Sequence, residues 1–205
     1  MAVAHTLRAR DADQLAAFAR AARPVAAKAV QLTAGGGADG HADRLVEHWR
    51  REAVVLTGLT GLGGRLAAAA QDAVSAAVQG SLVVCLCEVA GVHDLRERTR
   101  VLAAAVLDCT LKPDWAPTGS EGQPEESDGD VDDEGRLRPL IEMGRRLWAL
   151  RRVTRNRQEG RAWHRAAAMV PVVGAAGLLL GERHALKGVA ARASTELGLV
   201  GLTGA

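Results

Sequence analysis

The sequence predicts an all-α fold: a helical bundle in which glycine and alanine let the helices pack closely, interrupted by one disordered acidic linker. Apolar residues make up 48% of the chain and are mostly alanine, leucine and valine. Alanine and leucine are strong helix formers. Aromatic residues, which strands favour, make up only 2%. Apolar residues also recur every three or four positions over long stretches, as in amphipathic helices.

Helical spacing predicts a series of helices before residue 118. Their predicted bounds are Asp11 to Leu32, His41 to Leu56, Arg65 to Val92, and Asp94 to about Leu111. Asp11 or Asp13 is expected to cap the first helix, and Asp94 the fourth. Pro24 should kink or restart the first helix. Gly80 is a predicted weak point of the third.

The sign of the charge reverses in the second half of the chain. Residues 118–135 carry eight acidic residues and no basic one, which predicts a disordered linker. From Arg136 to Arg165 there are ten arginines and two glutamates, in the pattern of a long basic helix. An apolar stretch, Pro171 to Gly181, then precedes a last predicted helix, Glu182 to Leu197. We therefore divide the chain into helical parts at 1–117 and 136–205, which we expect to pack as one domain, joined by the linker.

Cysteine usage and the N-terminus predict a cytoplasmic protein. Cys85, Cys87 and Cys109 are odd in number and lie in apolar runs, which favours buried free thiols in a reducing compartment. The N-terminus has no apolar core of signal-peptide length. The longest apolar run, Ala166 to Gly181, is shorter than the ~20 residues of a membrane-spanning helix.

Gly58, Gly61 and Gly64 follow an apolar stretch at a spacing found in some dinucleotide-binding loops. The residues before them have helical periodicity, and no series of alternating strands follows. We therefore predict that Ala53 to Gly64 is a helix or a joint between helices. The residues assigned to close helix packing are Gly58, Gly61, Gly64, Pro171 and Gly174.

The sequence predicts no catalytic residue, no cofactor and no metal site. Cys85 and Cys87, with His93 nearby, could suggest a metal, but positions i and i+2 of a helix point in nearly opposite directions. A second group of potential ligands on the second helix does not form a metalloprotease motif. Its members are His41, Asp43, Glu47 and His48.

The basic helix is the main candidate binding site. The residues assigned to membrane or anion binding are Arg145, Arg146, Arg151, Arg152, Arg155 and Trp148. Binding to nucleic-acid phosphates and a merely solvated helix are the alternatives. Only three of the 26 basic residues are lysine, a bias that a GC-rich genome produces by itself, so arginine content does not favour nucleic acid. A further hypothesis is that the acidic linker masks this helix.

Three blocks of the chain resemble the EcsC family, named after a protein of a bacterial ABC-transporter operon. They are the small-residue stretch Glu52 to Ala73, the helix, glycine turn and helix start of Cys87 to Asp108, and the closing segment Met169 to Ala193. The chain has Ala90 where the family usually has tyrosine. The resemblance implies a helical protein linked with membranes and secretion, and it carries over no catalytic residue.

These observations predict a non-enzymatic accessory protein. We expect it to act at an anionic membrane surface, at the inner face of the membrane, or on a membrane protein. One alternative is a nucleotide-dependent oxidoreductase that uses Gly58 to Gly64. Another is a carrier of an apolar ligand held between the alanine-rich and leucine-rich helices. The sequence predicts no oligomeric state.

Overall fold

The computed structural model describes residues 5–35, 40–59, 65–118, 144–150 and 171–199. Over these residues the fold is almost entirely helical, which confirms the all-α class. The helices are α1 (Ala9–Thr33), α2 (His41–Leu59), α3 (Arg65–Val89), α4 (Leu95–Leu107), α5 (residues 144–150) and α6 (Pro171–Glu196). Two short strands, β1 (His5–Thr6) and β2 (Cys109–Thr110), pair in parallel. The predicted acidic linker, after its first residue Thr118, lies outside the described residues.

Helix α3 lies at the centre of the bundle, in contact with α1, α2, α4 and α6. From Leu82 to Cys87 every side chain is buried, as expected of a helix surrounded by other helices. Within the described part of the chain, its Asp72–Val89 stretch is the one helical window long and apolar enough to cross a membrane, and 78% of that window is buried inside the protein. Packing against four helices accounts for its apolar character.

Two glycines allow α1 and α5 to approach α3 closely. A Cβ atom on Gly80 would lie 2.5 Å from Cε1 of Phe18, and one on Gly144 would lie 2.4 Å from the carbonyl oxygen of Ala73. Neither distance leaves room for a side chain. The predicted weak point at Gly80 does not interrupt α3, which is continuous there and receives the ring of Phe18.

The start of α1 differs from its prediction. The helix begins at Ala9 with Arg8 at the N-cap and no capping side chain, so the predicted caps are wrong. Asp11 lies in the first turn, where a negative charge interacts favourably with the helix dipole. Oδ1 of Asp13 instead accepts a hydrogen bond from Nε1 of Trp115 at 3.3 Å.

Two predicted interruptions of helices are absent. Pro24 lies inside α1, which is one helix from Ala9 to Thr33, so the predicted restart is wrong. The apolar stretch that begins at Pro171 is part of the single helix α6, so no separate helix begins at Glu182. Proline is favoured at the first position of a helix because the N–H group that it lacks would have no helical partner there.

The turn between α3 and α4 has a local explanation. Gly91 has a φ of 69°, and the N–H of Val92 donates to the carbonyl of Cys87 at 2.9 Å, as in a Schellman C-cap. The N-cap predicted at Asp94 is confirmed: its Oδ2 accepts from the N–H of Glu97 at 2.8 Å.

Helix α4 ends at Leu107, so the predicted end near Leu111 is wrong. Asp108 takes a left-handed conformation with a φ of 55°, which aspartate tolerates better than most residues. Cys109 and Thr110 then pair with the N-terminal strand, and the N–H of Leu7 donates to the carbonyl of Thr110 at 2.9 Å. The short ladder fixes the chain before α1 to the end of α4.

Candidate functional site

The outward side of α1 is positively charged. Its inner side is mostly alanine, with Leu15 and Phe18, and is buried. The exposed charged residues of this helix are all basic: Arg10, Arg20, Arg23 and Lys28. Its acids, Asp11 and Asp13, are only partly exposed. The charge exposed by α1 is therefore positive along the helix.

Helix α5 places part of the predicted basic site beside α1. Leu147 and Leu150 are buried, whereas Arg145 and Arg146 are exposed and Trp148 is half-buried. This helix therefore has an apolar side toward the core and a basic side away from it. We call the exposed basic residues of α1 and α5 the cationic face. The remaining predicted arginines lie outside the described residues: Arg151, Arg152 and Arg155.

A groove with a volume of about 260 Å³ separates α1 from α5. The buried side chains of Phe18, Leu147 and Leu150 form its floor. The other lining residues are Arg10, Asp13, Gln14, Ala17 and Arg146. Two arginines and one aspartate give this lining one surplus positive charge.

The segment after β2 lies along α1 and ends at the cationic face. Trp115 is 6% exposed, and its hydrogen bond to Asp13 joins this segment to the first turns of α1. Nη2 of Arg20 donates to the carbonyl oxygen of Thr118 at 3.3 Å. The first residue of the predicted acidic linker is therefore in contact with a residue of the cationic face.

A second charged cluster lies where α3 turns into α4. Oε1 of Glu88 lies 2.8 Å from Nη2 of Arg98 and 3.4 Å from Nε of Arg23. Arg98 is 2% exposed, and its Nε donates to the carbonyl of Val92 at 2.7 Å. Nδ1 of His93 lies 3.3 Å from the same guanidinium. The cluster joins α1, α3 and α4 through one carboxylate, and its buried pair has the character of a structural ion pair.

The cysteines are free and buried, as predicted. Nε1 of Trp49 donates to Sγ of Cys85 at 3.3 Å. Burial raises the pKa of Cys85, and also that of Cys87, to about 12. Because the thiolate is the form that attacks electrophiles and binds metals, neither thiol is suited to either role. Within the described ranges no three His, Cys, Asp or Glu side chains are grouped as metal ligands.

Two of the potential metal ligands on α2, His41 and Glu47, are engaged with neighbouring side chains. Nε2 of His41 lies 3.0 Å from Oγ1 of Thr33, and Nε of Arg44 donates to the carbonyl of Thr33 at 3.0 Å. Desolvation, together with the charge of Arg44, lowers the pKa of His41. Nη2 of Arg50 lies 2.6 Å from the carboxylate of Glu47, and this hydrogen bond lowers the pKa of Glu47 to about 2. The His41 contacts connect the end of α1 to the start of α2.

The predicted helix-packing residues are only partly described. Gly58 lies in α2, Pro171 and Gly174 lie in α6, and Gly61 and Gly64 lie outside the described residues. Among the glycines whose surroundings are described, Gly80 and Gly144 form close helix contacts.

The helix predicted from Ala53 onward continues to Leu59. A dinucleotide-binding turn needs a strand before its glycines. Val54 to Thr57 lie in α2, and Leu82 to Leu86 lie in α3, so neither stretch supplies one. The oxidoreductase alternative therefore lacks the strand on which its glycine loop depends.

The basic residues of α1 were missed at the level of sequence, where the basic site was placed only on residues 136–165. The signal was present, because Arg20 falls on the side of the helix opposite Leu15 and Phe18 at about 100° per residue. What the sequence does not show is that α5 packs beside that helix.

Comparisons of this chain with protein-family models, curated proteins and solved structures found no match. A fold by itself does not specify a function.

Proposed function

We propose that this is a non-enzymatic accessory protein that binds an anionic membrane surface peripherally through its cationic face. The observation that carries the proposal is that every exposed charged residue of α1 is basic. Basic residues near an anionic leaflet contribute about 1 kcal/mol each. Several of them on one rigid helix can therefore act together.

The distribution of charge over the protein supports binding through the cationic face. The formal net charge of the chain is only +2, so overall charge alone gives little attraction. Helices α2 and α6 expose both signs: Asp43 and Arg51 on α2, and Lys187 and Glu196 on α6. Positive potential concentrated on α1 and α5 would turn that side of the protein toward a negative surface.

The cationic face also has apolar material beside it. Trp148 is half-buried on α5, and tryptophan is favoured at the boundary between lipid and water. The apolar floor of the groove lies between the basic residues of the two helices. The resemblance to the EcsC family, which is linked with membranes, points the same way and is itself part of the proposal.

Co-sedimentation with lipid vesicles tests the proposal. The test variant is R20E/K28E, and the matched control is R51E/K187E, which makes the same change of charge on α2 and α6. We expect the wild-type protein to bind vesicles that contain phosphatidylglycerol, but not vesicles of phosphatidylcholine alone. The test variant should bind at least about tenfold more weakly, and the control should bind like the wild type.

Salt provides a second measure, because exposed charges are screened as ionic strength rises. Binding of the wild type should therefore weaken from about 0.05 M to about 0.5 M salt. The proposal is rejected if the wild type binds neither kind of vesicle, or if test and control variants lose the same affinity.

A further inference from the structure

We propose that the groove between α1 and α5 binds one fatty acid, with the chain on the apolar floor and the carboxylate between Arg10 and Arg146. The inference rests on the proposed function, because a face held at a membrane would meet such amphiphiles where they partition. It adds a ligand-binding site to what would otherwise be a purely electrostatic surface.

The shape of the groove favours one unbranched chain. Its floor is apolar: Phe18 and Leu147 are each 2% exposed, and Leu150 is 9% exposed. The volume of about 260 Å³ is just below the range of ~300–1,000 Å³ common for drug-sized ligands. A peptide helix, with a diameter of ~10–12 Å, would not enter it. A flexible hydrocarbon chain can follow a narrow space between two helices.

The charges of the lining favour an anion. Arg10 and Arg146 are exposed and line the groove together. Neither forms an ion pair with another residue in the described part of the chain. Asp13 is the one acid among the described residues of the lining, and its carboxylate accepts a hydrogen bond from the indole of Trp115. The surplus of one positive charge complements a single carboxylate, which arginine can bind through two parallel hydrogen bonds.

The position of Ala17 allows the groove to be filled without disturbing the core. Ala17 is exposed and lines the groove, so a tryptophan there would occupy the space of the chain. Ala191 is exposed on α6 and serves for a matched substitution outside the groove. Both Ala17→Trp and Ala191→Trp should retain the thermal stability of the wild-type protein.

The experiment is isothermal titration calorimetry with dodecanoate below its micelle concentration, compared with dodecyltrimethylammonium, which has the same chain and the opposite charge. We expect one dodecanoate per chain, bound at least about tenfold more tightly than the cation. Ala17→Trp should weaken dodecanoate binding at least about tenfold, and Ala191→Trp should leave it unchanged. Arg146→Gln should weaken dodecanoate binding and leave the weak binding of the cation as it is.

The assignment is overturned if dodecanoate does not bind, if Ala17→Trp binds it like Ala191→Trp, or if Arg146→Gln weakens both amphiphiles equally. Failure here is distinguishable from failure of the proposed function. Ala17→Trp retains every basic residue of the cationic face and should still bind vesicles that contain phosphatidylglycerol, a property that R20E/K28E should lose.

Discussion

At the scale of single residues, packing of the core depends on places where a side chain is absent. Gly80 is such a place, because the ring of Phe18 on α1 and a methyl group of Leu147 on α5 lie against its Cα. Glycine in a helix costs up to about 1 kcal/mol relative to alanine. The close contact of three helices offsets that cost.

Substitution of this glycine should therefore destabilise the protein. Gly80→Ala gains helix propensity, but its Cβ would lie 2.5 Å from Phe18, and overpacking of a core costs about 1–3 kcal/mol. We expect a net loss of about 1–2 kcal/mol in the free energy of unfolding, measured by urea denaturation.

Gly188 on α6 is the matched control. A Cβ there would meet only Nη1 of Arg192 at 3.8 Å, an ordinary contact. Gly188→Ala should therefore stabilise the protein by about 0.5–1 kcal/mol. If both substitutions changed stability in the same direction, the packing explanation for Gly80 would be wrong.

His41 should make stability depend on pH. Desolvation and the charge of Arg44 lower its pKa in the folded protein below the ordinary histidine value of 6.5, so the unfolded chain binds the proton more readily. The resulting stabilisation is complete above the unfolded pKa and is lost as the pH falls through the lower, folded value.

A comparison with His41→Gln isolates this effect, because glutamine does not titrate and can still form a hydrogen bond with Thr33. Between about pH 7.5 and about pH 5.5, the melting temperature of the wild type should fall more than that of the variant. Parallel curves would mean that His41 has the same pKa in the folded and unfolded states.

At the scale of elements, the helices α1, α3 and α4 are joined by the ion pairs of Glu88. Removing one partner of a buried pair leaves the other charge without compensation, which costs about 3 kcal/mol or more. Arg98 is 2% exposed, so Glu88→Gln should destabilise the protein by about that amount in urea denaturation.

Two further variants test whether burial of the ion pair causes the loss of stability in Glu88→Gln. Glu47→Gln removes an exposed pair with Arg50 and should destabilise the protein much less than Glu88→Gln does. In E88Q/R98M the uncompensated charge is absent, so the double variant should be more stable than Glu88→Gln alone. A double variant that is less stable would show that the hydrogen bond of Arg98 to Val92 matters more than its charge.

The elements that sequence predicts well are those set by local interactions. Asp94 caps α4 through the N–H of a residue three positions later, and the apolar composition of α3 is sufficient to predict burial. The errors have distant causes. Asp13 does not cap α1 because the helix begins four residues earlier, directly after the strand that pairs with Cys109, and α4 stops early because Cys109 pairs with His5. Helical periodicity gives no information about these distant partners.

Close packing at small residues shows the same difference between features that local sequence predicts and features that depend on distant partners. Composition indicates that glycine and alanine allow close helix contacts, and the structure has such contacts at Gly80 and Gly144. Which glycine receives a neighbouring helix depends on that neighbour. Phe18, the only phenylalanine of the chain, lies far from Gly80 in sequence and in another helix.

At the scale of the whole molecule, the candidate site is formed by helices that are far apart in sequence. Sequence alone indicated the basic character of α5 through Arg145 and Arg146. It did not indicate that α1, which exposes four basic residues, lies beside α5, or that a groove lies between the two helices. Those features arise only when both helices pack on α3.

The most direct test of the proposed function is a fluorescent probe placed on each side of the protein. Gln31 is exposed on α1, one turn beyond Lys28, and Ala191 is exposed on α6. Each would be replaced by cysteine and labelled with a polarity-sensitive dye. Labelling should be selective, because burial raises the pKa of Cys85 and Cys87 to about 12, and Cys109 is buried as well.

The measurement is the emission of each labelled protein before and after addition of vesicles that contain phosphatidylglycerol. Peripheral binding through the cationic face predicts a blue-shifted, brighter emission from the probe at position 31 and an unchanged emission from the probe at position 191. An equal response from both probes, or a response at position 191 alone, would contradict the proposed face.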